Sequence, residues 1–65
     1  MRIILNGEPC EVKGITLDKI LQEQGYRTNA IATALNGTFV HNQSRPETQL
    51  KEGDRLEVVA PIQGG

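Results

Sequence analysis

The apolar positions of the chain fall into short runs spread evenly from Ile3 to Ile62, the pattern of a folded domain and not of a disordered tail. The opening MRIILNGEPCEV contains Asn6-Gly7, the dipeptide best suited to a type I′ turn because both central residues must adopt positive φ. It predicts a hairpin. With a two-residue loop, Leu5 faces Glu8, Ile3 faces Cys10 and Met1 faces Val12, so Met1, Ile3, Leu5, Cys10 and Val12 share one face, the core side. On the other face Arg2 lies opposite Glu11, an oppositely charged pair, and Ile4 points away from the core beside Pro9 as a candidate contact residue.

The period then changes. Thr16 can cap a helix in which Leu17, Ile20 and Leu21 recur at helical spacing, and Gly25 supplies the left-handed residue that stops it. So short a helix with so narrow an apolar stripe must lie across a sheet to be stable. After a polar connection, AIATAL, Asn36-Gly37 and Thr38-Phe39-Val40 predict a strand, a tight turn and a short edge strand. Ile31, Thr33 and Leu35 are expected to face inward, where the Thr33 hydroxyl needs a partner; the flipped alternative turns Ala30, Ala32 and Ala34 inward. HNQSRPETQL has no periodicity and holds Pro46, so it is expected to be a loop or a single helical turn anchored by Leu50. After a turn at Glu52-Gly53-Asp54, Leu56, Val58 and Ala60 alternate with Arg55, Glu57 and Val59 in a last strand with one outward valine.

Composition narrows the function. Sixty-five residues form one small domain that buries only about 60% of its unfolded surface, which leaves little room for an enclosed active-site cavity. Net charge is −1 with signs interspersed, so no basic stripe exists to neutralise a phosphate backbone, and Tyr26 and Phe39 offer no stacking platform: no nucleic-acid partner is expected. No apolar stretch is long enough for a bilayer or a secretory signal, so no membrane partner and a cytoplasmic location are expected. Cys10 cannot form an internal disulfide, and with His41 alone the chain lacks ligands for a dedicated zinc site. Cys10 is read as a small buried hydrophobe in a strand, and His41, in a polar segment, as solvated.

The end of the chain, PIQGG, is the one shift in composition. Pro61 has no N–H and stops sheet pairing, so residues 1–60 are expected to form the folded domain and 61–65 a flexible tail ending in Gly64-Gly65. Five extended residues reach about 17 Å, enough to insert a chain end into another protein's active site. Two glycines without Cβ atoms let the backbone pass a narrow channel and let a nucleophile approach the terminal carbonyl. A carboxylate is a poor electrophile until it is given a leaving group such as AMP. The chain has no glycine-rich phosphate loop and cannot assemble a nucleophile, base and orienting acid from one histidine and one cysteine. It reads as a substrate or carrier acted on by partners, with no catalytic residues, metal or bound cofactor of its own.

MRIILNGEP at the start, ITLDKIL around the helix, ALNGTFV in the middle and LKEGDRLEVVAPIQGG at the end together resemble the thiamine-biosynthesis sulfur carriers of the ThiS type, in the wider ThiS/MoaD group that includes ubiquitin. The resemblance spans the whole chain and implies an α+β, ubiquitin-like β-grasp fold: a mixed sheet, one main helix packed on one face, and the first and last strands parallel side by side at the centre. It implies that a ThiF/MoeB-type adenylyltransferase uses ATP to adenylate Gly65, that a donor such as a cysteine desulfurase supplies sulfur to form a thiocarboxylate, and that a ThiG-type thiazole synthase receives it. Gly64, Gln63 and Ile62 would enter the partner's active site with Gly65. Ile4 and Val59 would lie outward on neighbouring parallel strands and, with Ile62, make a modest apolar docking patch beside the tail.

The chain departs from that family in its middle loop, which reads FVHNQSR where many relatives carry a proline and an arginine soon after the valine. This bears on loop contacts and not on Gly65. Its short length and LEVVAPIQGG end resemble the thiamine carriers more than the molybdopterin-synthase small subunit, which is generally longer with a more aromatic last strand. Three other readings share the sequence: a carrier to another sulfur acceptor, a ubiquitin-like conjugated modifier, and a plain β-grasp binding module with an inert end.

Overall fold

The computed structural model describes residues 1–60, apart from the side chain of Thr28; the expected tail at 61–65, with Ile62, Gln63, Gly64 and Gly65, lies outside the described residues. The elements are β1 (Arg2–Leu5), β2 (Glu8–Glu11), α1 (Leu17–Glu23), a 3₁₀ turn (Thr28–Ala30), β3 (Ala32–Leu35), β4 (Thr38–Val40), a longer 3₁₀ segment (Asn42–Glu47) and β5 (Arg55–Val59). The five strands form one sheet in the order β2-β1-β5-β3-β4, with β1 and β5 parallel and the other neighbours antiparallel. This is the β-grasp arrangement that the family resemblance implies.

Both Asn-Gly turns form as expected, with φ of 50° at Asn6 and 51° at Asn36 followed by glycines at positive φ. The first fixes the hairpin register: Leu5 pairs with Glu8, Ile3 with Cys10 and Arg2 with Glu11. Beyond the ladder, Val12 N donates to Met1 O and the Met1 ammonium to Val12 O, both at 2.9 Å. Arg2 Nε meets Glu11 Oε2 at 2.8 Å, but both side chains are well exposed and such a pair contributes little.

Helix α1 lies on the inner face of the sheet and buries Leu17, Ile20 and Leu21. They close a core with Ile3, Val12, Leu50, Leu56 and Val58, and Met1, Leu5, Cys10, Tyr26, Ile31, Leu35 and Val40 pack around its rim. Cys10 is half-buried in that rim. Each fully buried aliphatic side chain contributes on the order of 1.5–3 kcal/mol, which is how a seven-residue helix too short to persist alone is held. Its end is the predicted glycine stop. Gly25 has φ 86°, its N–H donates to Gln22 O at 3.1 Å, and Tyr26 N–H reaches back to Leu21 O at 2.9 Å.

Its start differs from expectation. Thr16 occupies the N-cap position with extended φ and ψ, but its hydroxyl makes no capping bond to the backbone. It donates instead to Asp18 Oδ1 at 2.6 Å, and that bond is the main cause holding the Asp18 carboxyl below its ordinary range. The Leu17 N–H is satisfied by Thr48 O, 2.8 Å away. The cap has been supplied by the downstream loop.

Thr33 faces inward and is buried, so the flipped β3 is not adopted. Its hydroxyl donates to Val40 O at 2.9 Å and accepts from Arg45 Nε at 3.2 Å. The segment read as a loop or single turn anchored by Leu50 is the six-residue 3₁₀ segment with Leu50 buried behind it, and it brings in a buried arginine that periodicity did not reveal. Arg45 is only 2% exposed, with one guanidinium nitrogen donating to Ile31 O at 2.8 Å. Ala60 corrects a smaller expectation: it is exposed and lies past the end of β5, because the pairing with β3 stops at Val59.

Glu23 ties the connection before the helix to its last turn. Its carboxylate accepts the Gly14 N–H at 2.9 Å and the Lys13 N–H at 2.9 and 3.0 Å, and these bonds, Gly14 first, hold its carboxyl below the ordinary range. A depressed folded-state carboxyl contributes stability that is present above the unfolded pKa and lost as pH falls through the folded one. Equilibrium urea unfolding should therefore show wild-type stability falling as pH drops below about 4, the range of an unfolded glutamate, and Glu23→Gln should flatten that part of the curve. Thr33→Val, which strips Arg45 Nε and Val40 O of their shared partner inside the fold, should cost about 1–3 kcal/mol in the same assay. Thr33→Ser should recover most of it.

Candidate functional site

The outer face of the sheet, away from α1, carries the alternate side chains of every strand. On β5 these are Arg55, Glu57 and Val59; on β1, Arg2 and Ile4; on β3, Ala32 and Ala34; on β4, Phe39. Val59 is 62% exposed and Phe39 57%, while Ile4 is half-buried.

Ile4 and Val59 do share this face. The parallel register, however, sets Ile4 level with Arg55, so Val59 lies four residues farther along β5, about 13 Å away, with the charged Arg55 and Glu57 on the same face of β5. The structure therefore does not bring Ile4 and Val59 into one contact, and Ile62, the third member of the expected patch, lies outside the described residues.

Val59 has other apolar neighbours. It pairs directly with Ala32; the next outward pair is Glu57 with Ala34, and Ala34 pairs in turn with Phe39. The His41 ring stands edge-on to Phe39, centroids 4.8 Å apart and planes at 81°, with His41 itself exposed. The continuous outward apolar strip thus runs from Val59 across two alanines to Phe39 at the sheet edge. Half of it was readable in advance, since the Asn36-Gly37 turn sets Phe39 opposite Ala34 and inward Thr33 sets both alanines outward. The β3–β5 pairing that joins it to Val59 has no local signal.

Beside the strip the face is polar and open. Two depressions flank β5, one of 370 Å³ lined by Asn36, Gly37, Arg55 and Glu57, the other of 210 Å³ lined by Ile4, Gly7, Arg55, Leu56 and Glu57. Between them they offer one guanidinium and one carboxylate but no nucleophile beside a base, so the chemistry they could do unaided is slight. Among the described residues no group of three or more His, Cys, Asp or Glu side chains could hold a metal ion, and no helix is long and apolar enough to cross a membrane. What the site presents is a central strand whose inner face is core, whose outward Val59 begins an apolar strip across β3 to β4, and which precedes residues 61–65 in the chain.

The ThiS family model matches residues 3–65, the domain and the glycine pair together. The chain belongs to the ThiS family. It is 41% identical over 61 residues to the sulfur carrier protein ThiS of Thermus thermophilus, covering 94% of this chain and 95% of that protein. The crystal structure of the thiamine biosynthesis protein ThiS from Geobacter metallireducens superposes with a TM-score of 0.84 at 25% identity over the full length of both chains. The α+β, β-grasp architecture is thus that of solved ThiS-family structures. A third relative is of another kind: a thiazole synthase of Paramagnetospirillum magneticum is 32% identical over 66 residues that include all of this chain, which spans only 20% of that larger protein.

Proposed function

We propose that this chain is a sulfur carrier of thiamine biosynthesis that works through the carboxylate of Gly65 and is acted on by partner enzymes. The observation that carries the reading is the family match through residue 65 on a fold whose central strand leads into Pro61–Gly65. An adenylyltransferase of the ThiF/MoeB kind joins the Gly65 carboxylate to the α-phosphorus of ATP and releases pyrophosphate. The outer sulfur of a persulfide on a donor such as a cysteine desulfurase then attacks the activated carbonyl and expels AMP, and a thiol cleaves the resulting acyl disulfide, leaving a disulfide between the thiol and the donor and, on Gly65, a thiocarboxylate. Its sulfur is soft and nucleophilic where a carboxylate oxygen is not. Gly64, without a Cβ, admits both reagents to that carbonyl, and Gln63 and Ile62 follow it into the channel.

Thiazole synthase is the acceptor this reading favours over molybdopterin chemistry or protein conjugation. A specific observation supports that choice: a sequence similar to the whole of this chain occurs within a protein named thiazole synthase. Two domains joined in one chain meet at high effective concentration, which suits a sulfur that must pass from one to the other.

For docking, Val59 is the member of the expected patch that stands beside further exposed apolar surface, and we assign the strip from Val59 to Phe39 the contact with partners, with Ile4 flanking it across Arg55. Val59→Asp should lower kcat/KM for adenylation by about tenfold or more while leaving the unfolding midpoint little changed; unaltered adenylation would remove the docking role. The carrier reading itself is tested by intact mass after incubation with ATP, a sulfur donor and the cognate adenylyltransferase. The expected result is a gain equal to one oxygen replaced by sulfur, absent when Gly65 is deleted. Neither adenylate nor sulfur on the intact chain would turn the assignment to a binding module.

A further inference from the structure

Two asparagines hold β5, one near each end, and they differ in what they leave free. Near its start, Asn36 Oδ1 accepts the Arg55 N–H at 2.9 Å and Asn36 Nδ2 donates to Asp54 Oδ1 at 3.2 Å. Near its end, Asn6 Oδ1 accepts the Val58 N–H at 2.8 Å. Each asparagine is the first residue of an Asn-Gly turn at positive φ, so the backbone conformation that makes the hairpin also carries the carboxamide to β5.

The Asn6 bond falls where β1 has run out. The last pair between β1 and β5 is Leu5 with Leu56; one residue on, Asn6 N–H donates to Leu56 O at 2.9 Å and the chain turns back into β2. On the opposite edge β5 stays paired further, through Val58 with Thr33 and Val59 with Ala32. At the level of Val58, then, β3 holds one side of the strand and the Asn6 carboxamide holds the other, standing in for the next residue that β1 does not provide.

The geometry points to Asn6 as a positioning residue for the reaction at Gly65: by binding the Val58 N–H it sets the line on which β5 leaves the sheet and hence where the chain end arrives in a docked partner. This rests on the carrier reading above. Val59 and the residues up to Gly65 follow directly from the peptide that Asn6 grips. Released from it, the end of β5 would be held by β3 alone and could swing, so that a correctly docked carrier would present its carboxylate in the reactive position less often. Docking would be little affected, because Val59 stays paired with Ala32 and the rest of the strip, Ala34 and Phe39, lies on β3 and β4. The loss therefore belongs in kcat and not in KM.

Three variants test it. Asn6→Gly keeps the positive φ that the turn demands and removes the acceptor; Asn6→Asp keeps an acceptor oxygen in a residue that tolerates the same conformation; Asn36→Gly removes the equivalent bonds at the far end of the strand. With purified adenylyltransferase, Asn6→Gly should lose about tenfold in kcat with KM within about twofold, and its Val58 amide should exchange hydrogen faster than in the wild type. Asn6→Asp should return kcat to within about twofold of wild type, and Asn36→Gly, though destabilised, should keep the wild-type kcat when assayed well below its unfolding temperature. An Asn6→Gly protein that turns over normally while its Val58 amide exchanges fast would overturn the positioning role, as would an equal loss in Asn36→Gly. Failure of the wild type to be adenylated at all would sink the carrier reading, a different result from normal turnover of both wild type and Asn6→Gly.

Discussion

The pairing of β1 with β5 joins the two most distant parts of the described chain, Ile4 with Arg55 and Leu5 with Leu56. The rest of the sheet is assembled around it. Each hairpin closes locally through an Asn-Gly turn, but neither can bury its inner face until β5 lies between them, with β1 on one edge and β3 on the other. Closing so long a loop costs conformational entropy before any contact repays it. The repayment is concentrated here: Ile3 and Leu56 come together under α1, both fully buried, and the turn before β5 docks on β1 as Ile4 N–H donates to Asp54 O and Gly53 N–H to Arg2 O, each at 2.8 Å.

What was legible in the sequence follows from how local its cause is. A type I′ turn needs only its two residues, so both hairpins and their registers could be read from Asn6-Gly7 and Asn36-Gly37. The helix stop needed only Gly25. The N-cap bond was misread at Thr16 because the competing partner is two residues on: Asp18 offers its hydroxyl a charged acceptor, and the Leu17 N–H finds a carbonyl at Thr48, which no local pattern reveals. The distance between Ile4 and Val59 was hidden for a similar reason. Alternation assigned both residues to the outer face correctly, but their offset of four residues depends on the β1–β5 register, a tertiary quantity.

Arg45 is the clearest case of tertiary structure overriding composition. In HNQSRPETQL it is one polar residue among many, yet it is among the most buried side chains of the chain and reaches Thr33 and Ile31, both on the β3 side of the fold. Burying a guanidinium is tolerated only where its donors are satisfied. That requirement explains why Thr33 stands at an inward position where valine would otherwise serve: its hydroxyl accepts from Arg45 Nε and donates to Val40 O, so one small polar side chain joins the irregular segment to β3 and β4. The residue that looked awkward in the strand and the segment that showed no period are two ends of one device.

The five residues of β5 present one face to the core and the other to solvent. Leu56 and Val58 point into the core and Val59 out toward the apolar strip. On the carrier reading proposed above, a chain end is delivered to active sites on other proteins, and the strand that precedes it is the element from which that delivery starts. In this fold that strand is the central one of the sheet, flanked by β1 on one edge and β3 on the other. It follows that lesions in the core and lesions at the outer face should be separable by assay: loosening Leu56 or Val58 lowers stability, whereas changes at the exposed Val59 or Phe39 leave it nearly unchanged and alter only the surface proposed to meet a partner.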